Sequence, residues 1–404
     1  MKRLPIPAPP SFHAKLTTVG ITGTNGKTST NAMLAAILTK VASPIPRTTT
    51  LGSFLDNERL DLPANYQGFI ETMKRGFDRG ALYAVIELTS EALARGFAQA
   101  WPCSYGVFTN LTHDHLDAHH NFEHYLASKA QLFMHLPSSG AAILNGCDAS
   151  CELLKEIVPA STTTVFYGSE TRGPAIHDLH ARARRVSLSW DGTTIDVDLR
   201  GIGTSPTLSF RVPLIGHVYA ENAIAALAAA LVMGVPENLI VDALASMPAP
   251  SGRFEVVSTV PYVIVDYAHT PDALTRTLAA ARELCTGKLT AVFGAGGHRD
   301  KAKRPAMGAS STLADRIILT SDNPRDEDPA AIAAHIREGI PSSSHVEVEL
   351  DRFKAIRKAM LESSPDDVVV VAGKGHESEQ IIGAERRHFS DQDVIRSVAT
   401  HDQV

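Results

Sequence analysis

An α/β protein of two domains, the first built on a mostly parallel sheet, is what this sequence predicts, and three observations predict it. Short β-branched apolar runs alternate with Ala- and Leu-rich stretches of helical length, the order that builds a largely parallel sheet. An apolar strand runs into the glycine-rich turn Gly20-Ile-Thr-Gly-Thr-Asn-Gly-Lys-Thr28 and then into a helix. The cluster Pro248-Ala-Pro-Ser-Gly252 punctuates the chain before new strand-helix units begin at Tyr262, so domains of residues 1–250 and 251–404 are expected.

Taken in order, the first domain reads as a strand at Val19–Thr22, a helix from Thr28, and strands at Tyr83–Leu88 and Tyr105–Thr109. From about Thr162 to Pro213 the pattern changes. Val186-Ser-Leu-Ser-Trp190 and Thr194-Ile-Asp-Val-Asp-Leu199 alternate on either side of Asp191-Gly192, which predicts an antiparallel hairpin insert. An Ala-rich helix over Asn222–Leu231 follows, and the second domain adds a strand at Arg316–Thr320.

The 404 residues, 44% hydrophobic and 20% charged, suffice for two or three full cores and give no sign of disorder. With 38 basic against 44 acidic residues the net charge is −6, which argues against a nucleic-acid or membrane-surface binder and for small-molecule partners. The start Met-Lys-Arg-Leu-Pro-Ile-Pro-Ala-Pro-Pro lacks the apolar stretch of a signal peptide, no later run approaches a membrane span, and a cytoplasmic protein is expected. Four cysteines, at 103, 147, 151 and 285, support neither a disulfide framework nor a zinc finger.

The glycine-rich turn carries the sharpest chemistry. Glycines let the amides of Gly23, Thr24, Asn25 and Gly26 converge on phosphate oxygens, and the following helix points its positive end, with Thr28 and Ser29, at the same place. Lys27 reaches the outer phosphates and Thr28 offers a hydroxyl to Mg²⁺, so ATP with Mg²⁺ is the expected fuel. A strict P-loop has Gly six residues before the Lys, where this chain has Ile21, so the loop is a variant.

A second cluster, Asn110-Leu-Thr-His-Asp-His-Leu-Asp-Ala-His-His120, follows a strand end, where α/β proteins bind ligands. His113, His115, Asp117 and His119, spaced His-x-His-x-Asp-x-His, nearly spell a dinuclear zinc site of a hydrolase. The rival reading makes His115 and Glu87 ligands of a Mg²⁺ held by ATP, and it explains the phosphate loop, which a hydrolase does not need.

Six motifs in order resemble one family. Gly-Thr-Asn-Gly-Lys-Thr28, Glu87-Leu-Thr-Ser90, Phe108-Thr-Asn-Leu-Thr-His-Asp-His-Leu-Asp117, Val265-Asp-Tyr-Ala-His-Thr-Pro-Asp-Ala-Leu274, Gly296-Gly-His-Arg-Asp-Lys301 and Ala372-Gly-Lys-Gly-His-Glu377 resemble the Mur ligases, most closely the MurE-type UDP-MurNAc-tripeptide synthetases, from about Val19 to Val394. The resemblance implies a P-loop central ATPase domain followed by a Rossmann-like α/β domain that binds the amino acid. It also implies an ADP-forming reaction: a carboxylate acceptor takes the γ-phosphoryl group, and an amino acid's amine displaces phosphate from the acyl phosphate.

By the same resemblance Thr28, Glu87 and His115 match a Mg²⁺ shell, with Lys27 on the phosphates, and Lys129 matches a lysine that the family carbamylates to make a further Mg²⁺ ligand. Asn222, Arg253, Asp266 and His269 match nucleotide contacts, so one ATP is expected to bridge both domains. Asp322, Asn323 and Arg325, with Gly373 and Glu377, match the site for meso-diaminopimelate, Glu377 suiting its distal ammonium. Arg299 and Lys301 sit in a glycine-rich loop suited to phosphate, although His298 stands where the pattern has Asp. The same string at 322–325 also reads as a simple Asx-Pro turn.

The departures lie on the acceptor side. Fewer than twenty residues precede Val19, and the family's UDP-binding first domain has no counterpart among them. Ungapped counting from Glu87 puts Leu62-Pro63 where the family has a Thr-Thr pair and Phe97 where it has an arginine. The sequence therefore predicts a non-UDP carboxylate acceptor, possible presentation of it by a partner protein, and no useful turnover of UDP-MurNAc-L-Ala-D-Glu. An ordinary peptidoglycan-precursor ligase, a zinc hydrolase and a non-catalytic Mur-like binding protein are the alternatives.

Overall fold

The apolar runs of the first half pair into one sheet of eleven strands in the computed structural model, which describes residues 7–111, 122–169 and 173–401. Its strands are β1 (Thr17–Thr22), β2 (Pro46–Thr49), β3 (Gly52–Leu55), β4 (Glu58–Leu60), β5 (Tyr83–Glu87), β6 (Tyr105–Phe108), β7 (Ala141–Asn145), β8 (Thr163–Ser169), β9 (Ala181–Ser189), β10 (Gly192–Leu199) and β11 (Thr207–Val212). They lie in the order β11-β10-β9-β8-β7-β6-β1-β5-β2-β3-β4. β1 is parallel to both β5 and β6, and the parallel run continues through β7 and β8 to β9. Such strands are buried on both faces, which is why β7 reads as an unbroken apolar run, Ala-Ala-Ile-Leu-Asn. The alternating segments form strands β9 to β11, which extend this sheet from β8, with β11 antiparallel to β10.

The Ala-rich segment forms a helix over His217–Val232 in which almost every side chain is buried, as a helix apolar all round must be. It packs on the helix Lys27–Thr39 that follows the phosphate loop. Below the sheet Trp101, Phe69, Phe108 and Phe133 anchor the core.

The chain divides into two compact units, the second comprising residues 188–192, 214–216 and 248–404. Its sheet contains β12 (Glu255–Thr259), β13 (Tyr262–Asp266), β14 (Leu289–Phe293), β15 (Arg316–Leu319), β16 (His345–Val348) and β17 (Val368–Ala372) in the order β12-β13-β17-β14-β15-β16. All neighbours are parallel except β12, a Rossmann-like doubly wound layout. A separate ribbon pairs β18 (Glu379–Ile382) with β19 (Glu385–His388). The Val-rich strand β17 is wholly buried between β13 and β14, and its carboxyl end opens the loop that carries Gly373 to Glu377. Among the described residues no helix is long and apolar enough to cross a membrane.

Candidate functional site

The carboxyl end of β1 delivers the phosphate loop, and two of its glycines have no substitute. Gly23 has φ +150 and Gly26 φ +84; a Cβ on Gly23 would sit 1.9 Å from Thr109 Oγ1, and one on Gly26 2.2 Å from Asn222 Oδ1. Thr109 and Asn110, at the end of β6, clamp the loop from the other side. Thr109 Oγ1 donates to Asn25 O (2.6 Å), Asn110 Nδ2 donates to the same oxygen (3.0 Å), and Asn25 N donates to Asn110 Oδ1 (3.0 Å). The backbone of Thr24 adds a bond to Asn110 O at 2.8 Å.

Two lysines meet at one carbonyl. Lys27 Nζ donates to Gly23 O (3.0 Å) and Thr24 O (2.7 Å), while Lys129 Nζ donates to Gly23 O at 2.8 Å. Lys129 is 1% exposed and lies 4.3 Å from the Tyr125 ring centroid. Burial, helped by the nearby Lys27 charge and only partly opposed by Glu87, lowers its pKa to about 6. Glu87, at the end of β5, accepts from Thr28 Oγ1 (2.9 Å) and from both the amide and the hydroxyl of Thr50 (3.3 Å each). A carboxylate and two hydroxyls thus converge beside the loop, a hard-oxygen set suited to Mg²⁺. Ser29 occupies the first turn of the helix Lys27–Thr39, half-buried. Asn222 is buried against Gly26. His115, with His113, Asp117 and His119, lies outside the described residues. Among the described residues no group of three or more His, Cys, Asp or Glu could hold a metal ion.

In the second unit the candidate residues gather at the carboxyl ends of β13, β15 and β17. Asp266 is buried and turned inward: it accepts from Phe254 N (2.6 Å), Ala268 N (2.8 Å) and Thr277 Oγ1 (3.1 Å), while burial raises its pKa. It organises the turn that presents His269, which is exposed, and Arg253, which stacks over the Tyr267 ring at 4.8 Å. Asp322 and Asn323 follow β15, both buried, and the backbone of Gly373, at φ +112, comes so close that a Cβ there would meet Asp322 Oδ2 at 2.9 Å. Asn323 Nδ2 donates to Glu377 Oε2 (2.9 Å). Arg325 adopts φ +52 and donates through Nη1 to Gly297 O (2.7 Å). Lys301 pairs with Glu327 at 3.2 Å, and Arg304, fully buried, grips both oxygens of Glu327 at 3.1 and 3.0 Å; Arg299 is exposed.

Sequence reading missed several of these residues. Thr50, Thr109 and Asn110 were passed over as partners of Glu87 and the loop, although Asn110 sits in a motif. Lys374 went unassigned inside Gly373-Lys-Gly375, yet it is fully buried. Arg352 and Asp391 form a wholly buried pair (Nε to Oδ1, 2.7 Å), with Arg352 also donating to Ser321 O (3.4 Å) and Ala372 O (3.1 Å). No local pattern marks a pair 39 residues apart.

Phe97 is half-buried in an aromatic cluster, its ring 5.0 Å from Phe69 and 6.2 Å from Tyr66. Arg95 is exposed and bonded to Glu91. Leu62 is half-buried and Pro63 exposed, just before the helix Tyr66–Asp78.

The Mur ligase middle domain model matches residues 21–230, and the model for the Mur ligase glutamate ligase domain matches residues 252–375. The chain is 39% identical over 400 residues to the UDP-N-acetylmuramoyl-L-alanyl-D-glutamate–2,6-diaminopimelate ligase of Thermosynechococcus vestitus, covering 96% of this chain and 77% of that protein. The ligase of the same name from Clostridium botulinum is 37% identical, with 96% and 78% covered. A solved structure of a ligase of that name superposes with TM-score 0.70 at 31% identity, covering 96% of this chain and 79% of the other. Mycobacterium tuberculosis folylpolyglutamate synthase complexed with ADP shares the fold, with TM-score 0.70 at 21% identity and 90% and 89% covered. The loop, the second sheet and these matches together establish that the chain belongs to the Mur ligase family, as an ADP-forming acid–amino-acid ligase that uses ATP and Mg²⁺.

Proposed function

We propose that this ligase couples a diaminopimelate-like amino acid to the carboxylate of a small-molecule acceptor. The observation that carries the reading is the array at the ends of β15 and β17, where Arg325, buried Asn323 and Glu377 stand together. A guanidinium for a carboxylate and a carboxylate for an ammonium are the two partners that the distal end of a diamino dicarboxylic acid needs. The relatives are named for that amino acid, which supports the reading.

In the reaction an acceptor carboxylate oxygen bonds to the γ-phosphorus of ATP as ADP leaves. The amine then bonds to the acyl carbon, phosphate leaves, and the amine gives up a proton. Lys27 is assigned to the transferring phosphoryl oxygens, with the amides of Gly23, Thr24, Asn25, Gly26 and Ser29 around the phosphates. Thr28 and Glu87 would hold Mg²⁺, with His115 and a carbamate on Lys129; the ion supplies neutralisation of phosphate charge. For the carbamate, the neutral Lys129 amine bonds to the carbon of CO₂ and releases one proton to solvent. Asn222, Arg253 and His269 are assigned to the nucleotide, Asp266 to the turn that presents His269.

The relatives' acceptor, UDP-N-acetylmuramoyl-L-alanyl-D-glutamate, is the one their names support here. One observation favours a second reading with a different carboxylate. Phe97, at the arginine position, is committed to an aromatic cluster, and Leu62-Pro63 replaces two hydroxyls. Presentation of the acceptor by a partner protein has no support from the relatives. The test is ADP release over a matrix of candidate carboxylates and amino acids, with mass spectrometry of the product. Turnover of UDP-MurNAc-L-Ala-D-Glu with meso-diaminopimelate settles for the relatives' acceptor; turnover of only other carboxylates settles for the second reading. Indifference to the amino acid would overturn the diaminopimelate assignment.

A further inference from the structure

Lys374 lies beside the proposed amino-acid site with its side chain 0% exposed. Its ammonium donates to Glu379 O (2.6 Å), Asn323 Oδ1 (3.3 Å) and Glu377 Oε2 (3.4 Å). A buried ammonium carries a large desolvation cost, which three acceptors, one of them an anion, offset here. The same contacts decide how two other residues stand. Asn323 Oδ1 accepts from Lys374 and from Ile381 N (2.9 Å), so its amide nitrogen is turned to Glu377 Oε2 at 2.9 Å. Glu377 Oε2 therefore takes both Asn323 and Lys374, while the side chain as a whole stays 35% exposed.

We propose that Lys374 is a positioning and specificity-determining residue for the incoming amino acid, holding Glu377 and Asn323 in place and balancing the charge of the site. The proposal rests on the reading of this array as the amino-acid site. Asp322 and Glu377 bring two negative charges, Arg325 and Lys374 two positive ones, and the nearby buried Arg352 is itself balanced by Asp391. A zwitterionic distal end, with an ammonium toward Glu377 and a carboxylate toward Arg325, enters such a balanced array without adding net charge. A distal ammonium alone, as in lysine, adds one positive charge and leaves Arg325 unmatched. Without Lys374 the array has an excess negative charge and Glu377 is free to turn, so the preference shifts toward the simple cation.

The test is Lys374→Met, assayed by ADP release with meso-diaminopimelate and with L-lysine. The expected result is a KM for diaminopimelate raised about tenfold or more, with the KM for ATP unchanged and the preference for diaminopimelate over lysine narrowed by a similar factor. A merely structural lysine would lower Tm and the active fraction and leave that preference where it was. Should Lys374→Met fail to fold, Lys374→Gln keeps a donor toward Glu379 O without the charge and leaves Glu377 in place, and it is read the same way. An unchanged KM and preference in the folded variant overturns the proposal alone. A parent enzyme that shows no dependence on diamino acids overturns the site reading, and the proposal with it.

Discussion

Lys27 and Lys129 both donate to one carbonyl, Gly23 O, from different surroundings. Lys27 sits half-exposed at the loop and is placed to meet phosphate; Lys129 is enclosed and loses its proton near pH 6. Lys27→Ala and Glu87→Gln should each cut kcat by about a hundredfold or more with circular dichroism unchanged, because both act on transition-state charge and neither is in the core. Steady-state ADP release checks this, and near-parental turnover in either would refute the assignment. Enzyme equilibrated with ¹³CO₂ at pH 8 should show a carbamate carbon resonance that is absent in Lys129→Ala. The linkage sign is fixed by the lowered pKa. Between pH 6 and 10.5 the unfolded chain holds the proton that folded Lys129 has lost, so its contribution to stability rises with pH across that window and is flat below it.

At the scale of elements, two joints hold the sites. Gly26 caps the helix Lys27–Thr39 in a left-handed conformation and touches Asn222, on the buried helix His217–Val232. Gly26→Ala should cost roughly 1–3 kcal/mol of strain and raise the KM for ATP several-fold, since Asn222 must move. Nucleotide titration and thermal melts measure the two parts. In the second unit Arg352 joins the ends of β15 and β17 to the helix Asp391–His401 through Ser321 O, Ala372 O and Asp391. Arg352→Met leaves Asp391 buried without a counter-charge and should destabilise by about 3–5 kcal/mol. Arg352→Met/Asp391→Leu should recover much of that in denaturant unfolding; an equal loss in the double variant would mean that packing, not charge, is at stake.

Across the whole molecule, each unit keeps a glutamate far below its ordinary range. Glu237 is lowered to about 2, first by the Ser205 hydroxyl and amide and the Thr204 amide, and Glu347 to about 2, first by Arg316 and then Lys358. A depressed carboxylate stabilises the fold above its unfolded pKa, near 4.5, and that contribution is lost as pH falls toward 2. Both units should therefore weaken in the same acid window. Tm measured from pH 5.5 to 2.5 should fall less steeply in Glu237→Gln than in the parent.

The phosphate loop, the strand order around it and the Mur ligase motifs were legible because they are local: spacing alone puts Gly23, Gly26, Lys27 and Thr28 on one strand-turn-helix unit. Lys129 and Asn222 are legible only through their motifs, Glu87 also from its place at a strand end, and the fold explains why they matter, since β5 and two helices bring them to the loop from 59 or more residues away. The alternating segments gave strands but not their place in the main sheet, because alternation reports a half-buried face and not the neighbour that covers it. What the sequence by itself determined is the ATP-dependent ligase scaffold. What only tertiary structure decided is the setting of its buried charges: the desolvated amine of Lys129, the inward carboxylate of Asp266, the Arg352–Asp391 pair and the enclosed Lys374. Desolvation and distant partners set those states, and neither is written in the residues next door.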